Sequence, residues 1–89
     1  VSGQAGGERP CGERWTEEDG ALVAVLSCSS FPAAIAYVTR IAAVAEELGH
    51  HPDIDIRYDT VTLRLVTHAA GRVTEKDYAL ARAIDDLGQ

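Results

Sequence analysis

Residues 29–68 read SSFPAAIAYVTRIAAVAEELGHHPDIDIRYDTVTLRLVTH, and a change of hydrophobic period inside this run decides the fold. Up to Gly49 the apolar residues return every three or four positions. Phe31, Ala34, Ile35, Val38, Ile41, Ala42, Ala45 and Leu48 make one stripe of an amphipathic helix. Ser29 or Ser30 can cap its start, Pro32 falls where a missing N–H does no harm, and Gly49 supplies the stop. Beyond Pro52 the period drops to two. Ile54, Ile56 and Tyr58 alternate with Asp55 and Arg57, Asp59-Thr60 punctuates a tight turn, and Val61, Leu63 and Leu65 alternate with Thr62, Arg64 and Val66. Two strands joined so closely pair antiparallel.

Working outward, Asp19-Gly20 is a hairpin turn dipeptide between a strand starting at Trp15 and the run Leu22, Val23, Val25 and Leu26. On the other side, residues 69–73 form a loop, and Thr74-Glu75-Lys76-Asp77 resembles a capping box with Asp in place of Glu. The helix it opens carries Leu80, Ala81, Ile84 and Leu87 on one stripe and is followed by Gly88. The order is β-β-α-β-β-α. Each amphipathic helix needs a sheet face to cover, so the expectation is an α+β, two-layer fold with a four-stranded antiparallel sheet and both helices on one face. Residues 1–12 hold four of the eight glycines and almost nothing apolar, and read as a flexible arm ahead of a single domain at 13–89.

At 89 residues and 9.5 kDa the chain buries about 63% of its extended surface, a thin core of the kind that oligomerisation often supports. A hydrophobic share of 46% with 25% charged residues is ordinary for a globular chain. The net charge of −6 repels phosphate backbones and argues against autonomous nucleic-acid binding. No apolar stretch approaches the ~20 residues of a membrane span, so a cytoplasmic protein without a membrane or nucleic-acid partner is the default. Cys11 and Cys28 lie in no CxxC and at no zinc-ligand spacing, and read as plain thiols.

All three histidines fall in the centre of the chain: His50 and His51 at the helix exit, His68 at a strand end. Imidazole both gives and takes protons near neutrality, with an ordinary pKa of about 6.5. Exposed residues favoured by a helix dipole are an equally good reading of His50 and His51 on these grounds alone. A zinc set with Asp53 or Asp77 fits poorly, since adjacent histidines do not easily point at one ion and the HExxH spacing is absent. There is no GxSxG elbow, and Gly6-Gly7 has no strand before it or helix after it. Strand parity puts His68 with Thr62 and Arg64, opposite Val61 and Leu63, so it reaches His50 only around the strand end or through a twist or bulge.

Taken together, Glu46, His50-His51-Pro52, Tyr58, His68 and Asp77 stand at offsets that resemble the signature of the pterin-4a-carbinolamine dehydratases. The resemblance runs from about Trp15 to Leu87 and includes the Ala-Glu-Glu-x-x-His-His-Pro helix exit, Thr67-His68 and Thr74-Glu75-Lys76-Asp77. It implies dehydration of 4a-hydroxytetrahydrobiopterin to quinonoid dihydrobiopterin, during recycling of the cofactor of aromatic amino acid hydroxylases. It further implies His50 and His68 as the acid/base pair, with His51, Pro52 and Asp77 as substrate-binding neighbours. No metal and no redox cofactor is called for. The family also forms dimers and tetramers, and edge strands pairing across a two-fold axis would cover this small sheet.

The sequence departs from the family pattern at three places. Ile54 stands where relatives commonly carry tryptophan, Ala69 where an acidic residue is frequent, and Gly71-Arg72-Val73-Thr74 where Gly-Gly-Leu-Thr is usual. Two alternatives follow from these departures and from the family's diversity: a non-catalytic relative acting as a protein-binding dimerisation or assembly factor, and a relative reshaped for a different substrate.

Overall fold

The computed structural model describes residues 14–87. The expected arm at residues 1–12 therefore lies outside the described residues, as do Cys11 and Gly88. Six elements follow one another: β1 (Trp15–Glu18), β2 (Ala21–Ser27), α1 (Phe31–Leu48), β3 (Asp53–Arg57), β4 (Thr60–Leu65) and α2 (Glu75–Leu87). The sheet order is β1-β2-β4-β3 with every pair antiparallel, and both helices cover one face, as the sequence predicts.

Two hairpin turns set the sheet's edges. Asp19 and Gly20 both adopt positive φ (52° and 78°), the geometry that a two-residue turn between right-twisted strands requires. The second turn is Tyr58-Asp59 and not Asp59-Thr60. Tyr58 takes φ 59° and is exposed, while Thr60 already pairs with Arg57. Tyr58 thus leaves the apolar face on which strand alternation puts it. Register then aligns Trp15, Ala24 and Leu63 across three strands, and Leu22 with Leu65 and Leu26 with Val61, all buried on the face beneath the helices.

Helix α1 starts at Ser30, whose Oγ accepts the Ala33 N–H at 3.2 Å, with Pro32 in the first turn. Its buried face is Ala34, Tyr37, Ile41 and Ala45, so the stripe is rotated from the sequence expectation. Phe31, Ile35 and Leu48 remain substantially exposed and Ala42 is exposed too, while Tyr37 goes inside. Tyr37 is amphipathic: its ring fills the core while its hydroxyl accepts from Arg14 Nη1 at 3.3 Å. Burial, opposed by Arg14, pushes its phenol above 10.0. Arg14 also pairs with Asp85, which accepts from Trp15 Nε1 at 3.0 Å, and Arg40 donates to the Leu87 carbonyl. These contacts fasten α2 to β1 and α1 and bring its first turn beside the end of α1.

Candidate active site

The C-terminus of α1 aims the first two histidines. Gly49 adopts φ 68°, the left-handed conformation that ends a helix, and its N–H bonds back to Glu46 while the His50 N–H reaches the Ala45 carbonyl. The chain turns out of the helix at that point. Pro52 then biases His51 towards extended backbone, which leads straight into β3. His50 folds inward and His51 outward, with side-chain exposures of 14% and 64%.

His68 arrives from the other side. Strand β4 ends at Leu65, but the inside–outside alternation carries on past it, with Thr67 buried and His68 exposed, so His68 comes to the cleft around the strand end. Thr67 closes a tight loop: its N–H donates to the Arg72 carbonyl at 3.1 Å, and its carbonyl accepts from Ala70 and Gly71. His68 lies exposed in that loop. All three histidines, with Gly49, Val66, Thr67, Ala69 and Lys76, line one open cleft of about 330 Å³. That is the lower end of the range for small-molecule sites, roughly 300–1,000 Å³.

Behind the cleft stands Asp77, whose side chain is fully buried. Its Oδ1 lies 2.6 Å from His50 Nε2, and its Oδ2 accepts from the Thr67 hydroxyl at 2.7 Å and from the Thr74 N–H at 2.9 Å. The bond to Thr74 is the return half of a capping box, and Thr74 Oγ1 accepts the Lys76 N–H at 3.3 Å. One oxygen of Asp77 therefore caps α2 while the other holds an imidazole. Burial by itself pushes the Asp77 carboxyl up, but the hydrogen bonds from His50, Thr74 and Thr67 together outweigh it and hold it below 3.8.

The site residues expected from sequence are thus distributed unevenly. His50, His51 and His68 meet at one cleft, and Asp77 sits behind His50 with no open face. Pro52 is half-buried and not part of the cleft lining. Of the three departures, Ala69 lines the cleft, whereas Ile54 lies on edge strand β3 and Arg72 faces solvent across the loop from Thr67. Sequence reasoning missed Lys76 in the lining and Thr67 in the hydrogen-bond network. The capping-box spacing could have flagged Lys76, one residue before Asp77.

A second cleft, of about 380 Å³, lies by the far end of β2 between Ser27, Cys28, Tyr37 and Arg40. It is larger but holds no histidine or carboxylate. Among the described residues, no group of three His, Cys, Asp or Glu side chains could hold a metal ion, and no helix is long and apolar enough to cross a membrane.

The family model for pterin 4 alpha carbinolamine dehydratase matches residues 5–87. A Chloroflexus aurantiacus protein whose name places it among the pterin-4-alpha-carbinolamine dehydratases is 56% identical over 73 residues, spanning 82% of this chain and 78% of that one. A Nocardia farcinica protein of the same name is 52% identical over 75 residues, 84% of this chain and 79% of that one. Among solved structures, a transcriptional coactivator/pterin dehydratase from Brucella melitensis superposes with TM-score 0.81 at 29% identity, covering 86% of this chain and 84% of that one. A pterin dehydratase-like protein identified as a RuBisCO assembly factor in the alpha-carboxysome gives TM-score 0.67 at 25% identity, over 83% and 86% of the two chains.

Proposed function

This chain belongs to the pterin-4a-carbinolamine dehydratase family, and from that premise we propose that it dehydrates 4a-hydroxytetrahydrobiopterin to quinonoid dihydrobiopterin. The observation that carries the reading is the convergence of His50, His51 and His68 on one cleft with a buried carboxylate behind His50. The reaction needs a base for the N5 proton and an acid for the hydroxyl leaving C4a. As the N5–H electrons form the N5=C4a double bond, the C4a–O bond breaks and the departing hydroxyl takes a proton to become water. Each positioned proton transfer is worth about 10²–10⁴-fold.

The environments divide the two roles. The Asp77 carboxylate holds His50 by Nε2 from behind and leaves the rest of the ring on the cleft, so His50 is assigned the base. His68, exposed in its loop, exchanges protons with solvent and serves as the acid. His51 forms part of the substrate wall, with Glu46 3.5 Å from its ring on the open rim. Pro52 acts through the backbone, and Asp77 through His50 without touching the pterin. The balanced sequence uses two imidazoles and consumes no cofactor.

The assay is the rate of 4a-hydroxytetrahydrobiopterin dehydration against the spontaneous reaction. Acceleration is expected, and His68→Ala should remove about 10²-fold or more of it. A folded wild-type protein that leaves the spontaneous rate unchanged would overturn the proposal. That outcome would favour the protein-binding alternative, which the similarities to a RuBisCO assembly factor and to a transcriptional coactivator/pterin dehydratase support.

We place self-association in the same proposal. Among the described residues β1 and β3 are the outer strands of the sheet, and Ile54 on β3 joins Phe31, Ile35 and Leu48 on α1 as exposed apolar side chains. Edge strands from two copies pairing about a two-fold axis would extend the sheet and cover Ile54. A dimeric or tetrameric mass in solution at micromolar concentration is the expected result, and a monomeric mass would end the idea.

A further inference from the structure

We propose that Thr67 is a positioning residue that orders the protons of the His50–Asp77 pair, so that His50 turns Nδ1 towards substrate as its open nitrogen. The inference rests on the reading of His50 as the base. Four side chains form a chain of three contacts: Thr74 Oγ1 lies 2.6 Å from Thr67 Oγ1, Thr67 Oγ1 lies 2.7 Å from Asp77 Oδ2, and Asp77 Oδ1 lies 2.6 Å from His50 Nε2.

Counting protons gives the chain one direction. An ionised carboxylate only accepts, so the single Thr67 hydroxyl proton goes to Asp77 and cannot go to Thr74. Thr74 must then donate to Thr67, leaving its own oxygen to accept the Lys76 N–H. Oδ2 is filled by Thr67 and the Thr74 N–H. Oδ1 is left to His50, which donates to it from Nε2 as long as Asp77 stays ionised, so in neutral His50 the unprotonated nitrogen is Nδ1. The Thr67 hydrogen bond is one of those that keep this buried carboxyl ionised, and a protonated Asp77 would donate to Nε2 and leave the ring proton on Nδ1. Among the described residues Nδ1 makes no hydrogen bond, and the ring lines the cleft.

Thr67 suits the task because its backbone is held on both sides. Its N–H is taken by Arg72, its carbonyl by Ala70 and Gly71, and the residue is 9% exposed. The hydroxyl lies buried against Asp77, and the residue that contacts Asp77 also opens the loop that presents His68. Both halves of the proposed acid/base pair are set by one side chain and its own peptide groups.

The test is NMR of ¹⁵N-histidine-labelled protein, which distinguishes an Nδ1–H from an Nε2–H imidazole, alongside steady-state dehydration kinetics. Wild-type His50 should show the Nε2–H form alone. Thr67→Val, which keeps the shape and loses the donor, should mix the two forms and lower kcat about tenfold with KM within about twofold; Thr67→Ser should restore both readouts. A wild-type His50 in the Nδ1–H form overturns the proposal without any variant. So does a Thr67→Val protein with the wild-type ring signature and kcat, or a kcat loss that Thr67→Ser does not rescue. The ring signature needs no substrate. A wild-type protein with no dehydratase activity would overturn the function and still leave the role of Thr67 decided.

Discussion

His50→Ala is expected to lower dehydration turnover by about 10²–10⁴-fold, the value of one positioned proton transfer. It should also cost about 1–3 kcal/mol of folding stability, because the fully buried Asp77 oxygen loses a hydrogen-bonded partner. Those two losses are separable. His50→Gln can place an amide N–H near the Nε2 position, so it should recover most of the stability while leaving turnover low. Rapid-mixing kinetics and urea unfolding on both variants make the comparison. Wild-type turnover in His50→Gln would remove His50 from the chemistry. His68→Ala provides the contrast: its side chain is exposed, so its stability change should stay within about 0.5 kcal/mol while turnover falls.

The contrast between the two histidines was not legible in the sequence, although their meeting was foreshadowed by it. The period change at Pro52, the Ser30 cap, the Gly49 stop and the Asp19-Gly20 turn are local signals, and local physics reproduces them in the fold. What failed was the choice among apolar residues on α1. Phe31, Ile35 and Ala42 satisfy helical periodicity as well as Tyr37 does. Only the helix's roll on the sheet decides which arc is covered, and that roll depends on contacts such as Arg14–Tyr37 and Arg14–Asp85 from distant elements. Parity held at His68: Thr67 is buried and His68 exposed, and because β4 stops at Leu65 His68 meets the cleft around the strand end, as counting by twos allows.

The site was legible as a set of residue types at fixed offsets and not as a geometry. Asp77 shows the limit. From sequence it is a capping-box residue and, by resemblance, a substrate-binding neighbour, whereas in the structure one oxygen caps α2 and the other holds His50. Thr67 entered only as part of the Thr67-His68 motif, and nothing in the sequence pointed to its hydrogen bond, since its partner lies ten residues away across a loop.

That double use of Asp77 gives the second large expected effect. Asp77→Asn keeps the shape but replaces an acceptor-only group with an amide that must donate somewhere. If it donates to His50, it imposes the opposite tautomer and turns a protonated Nδ1 towards the cleft. Turnover should fall about 10²–10⁴-fold, and stability near neutral pH by about 1–3 kcal/mol. The pH dependence of stability separates the electrostatic part. The native Asp77 carboxyl is held below 3.8, so its contribution is present above about pH 4 and is lost as pH falls through the lower native value. Asp85 acts with the opposite sign. Burial raises its carboxyl above 3.8 against the pull of Trp15 and Arg14, so its contribution is present at low pH and lost as pH rises through its native value. Wild-type stability should therefore fall below pH 4 more steeply than that of Asp77→Asn, while the Asp85 effect, common to both proteins, cancels in the difference. Urea midpoints between pH 6 and pH 2 measure that difference. Parallel acid limbs in the two proteins would show that Asp77 carries no net charge stabilisation and that its hold on His50 is geometric alone.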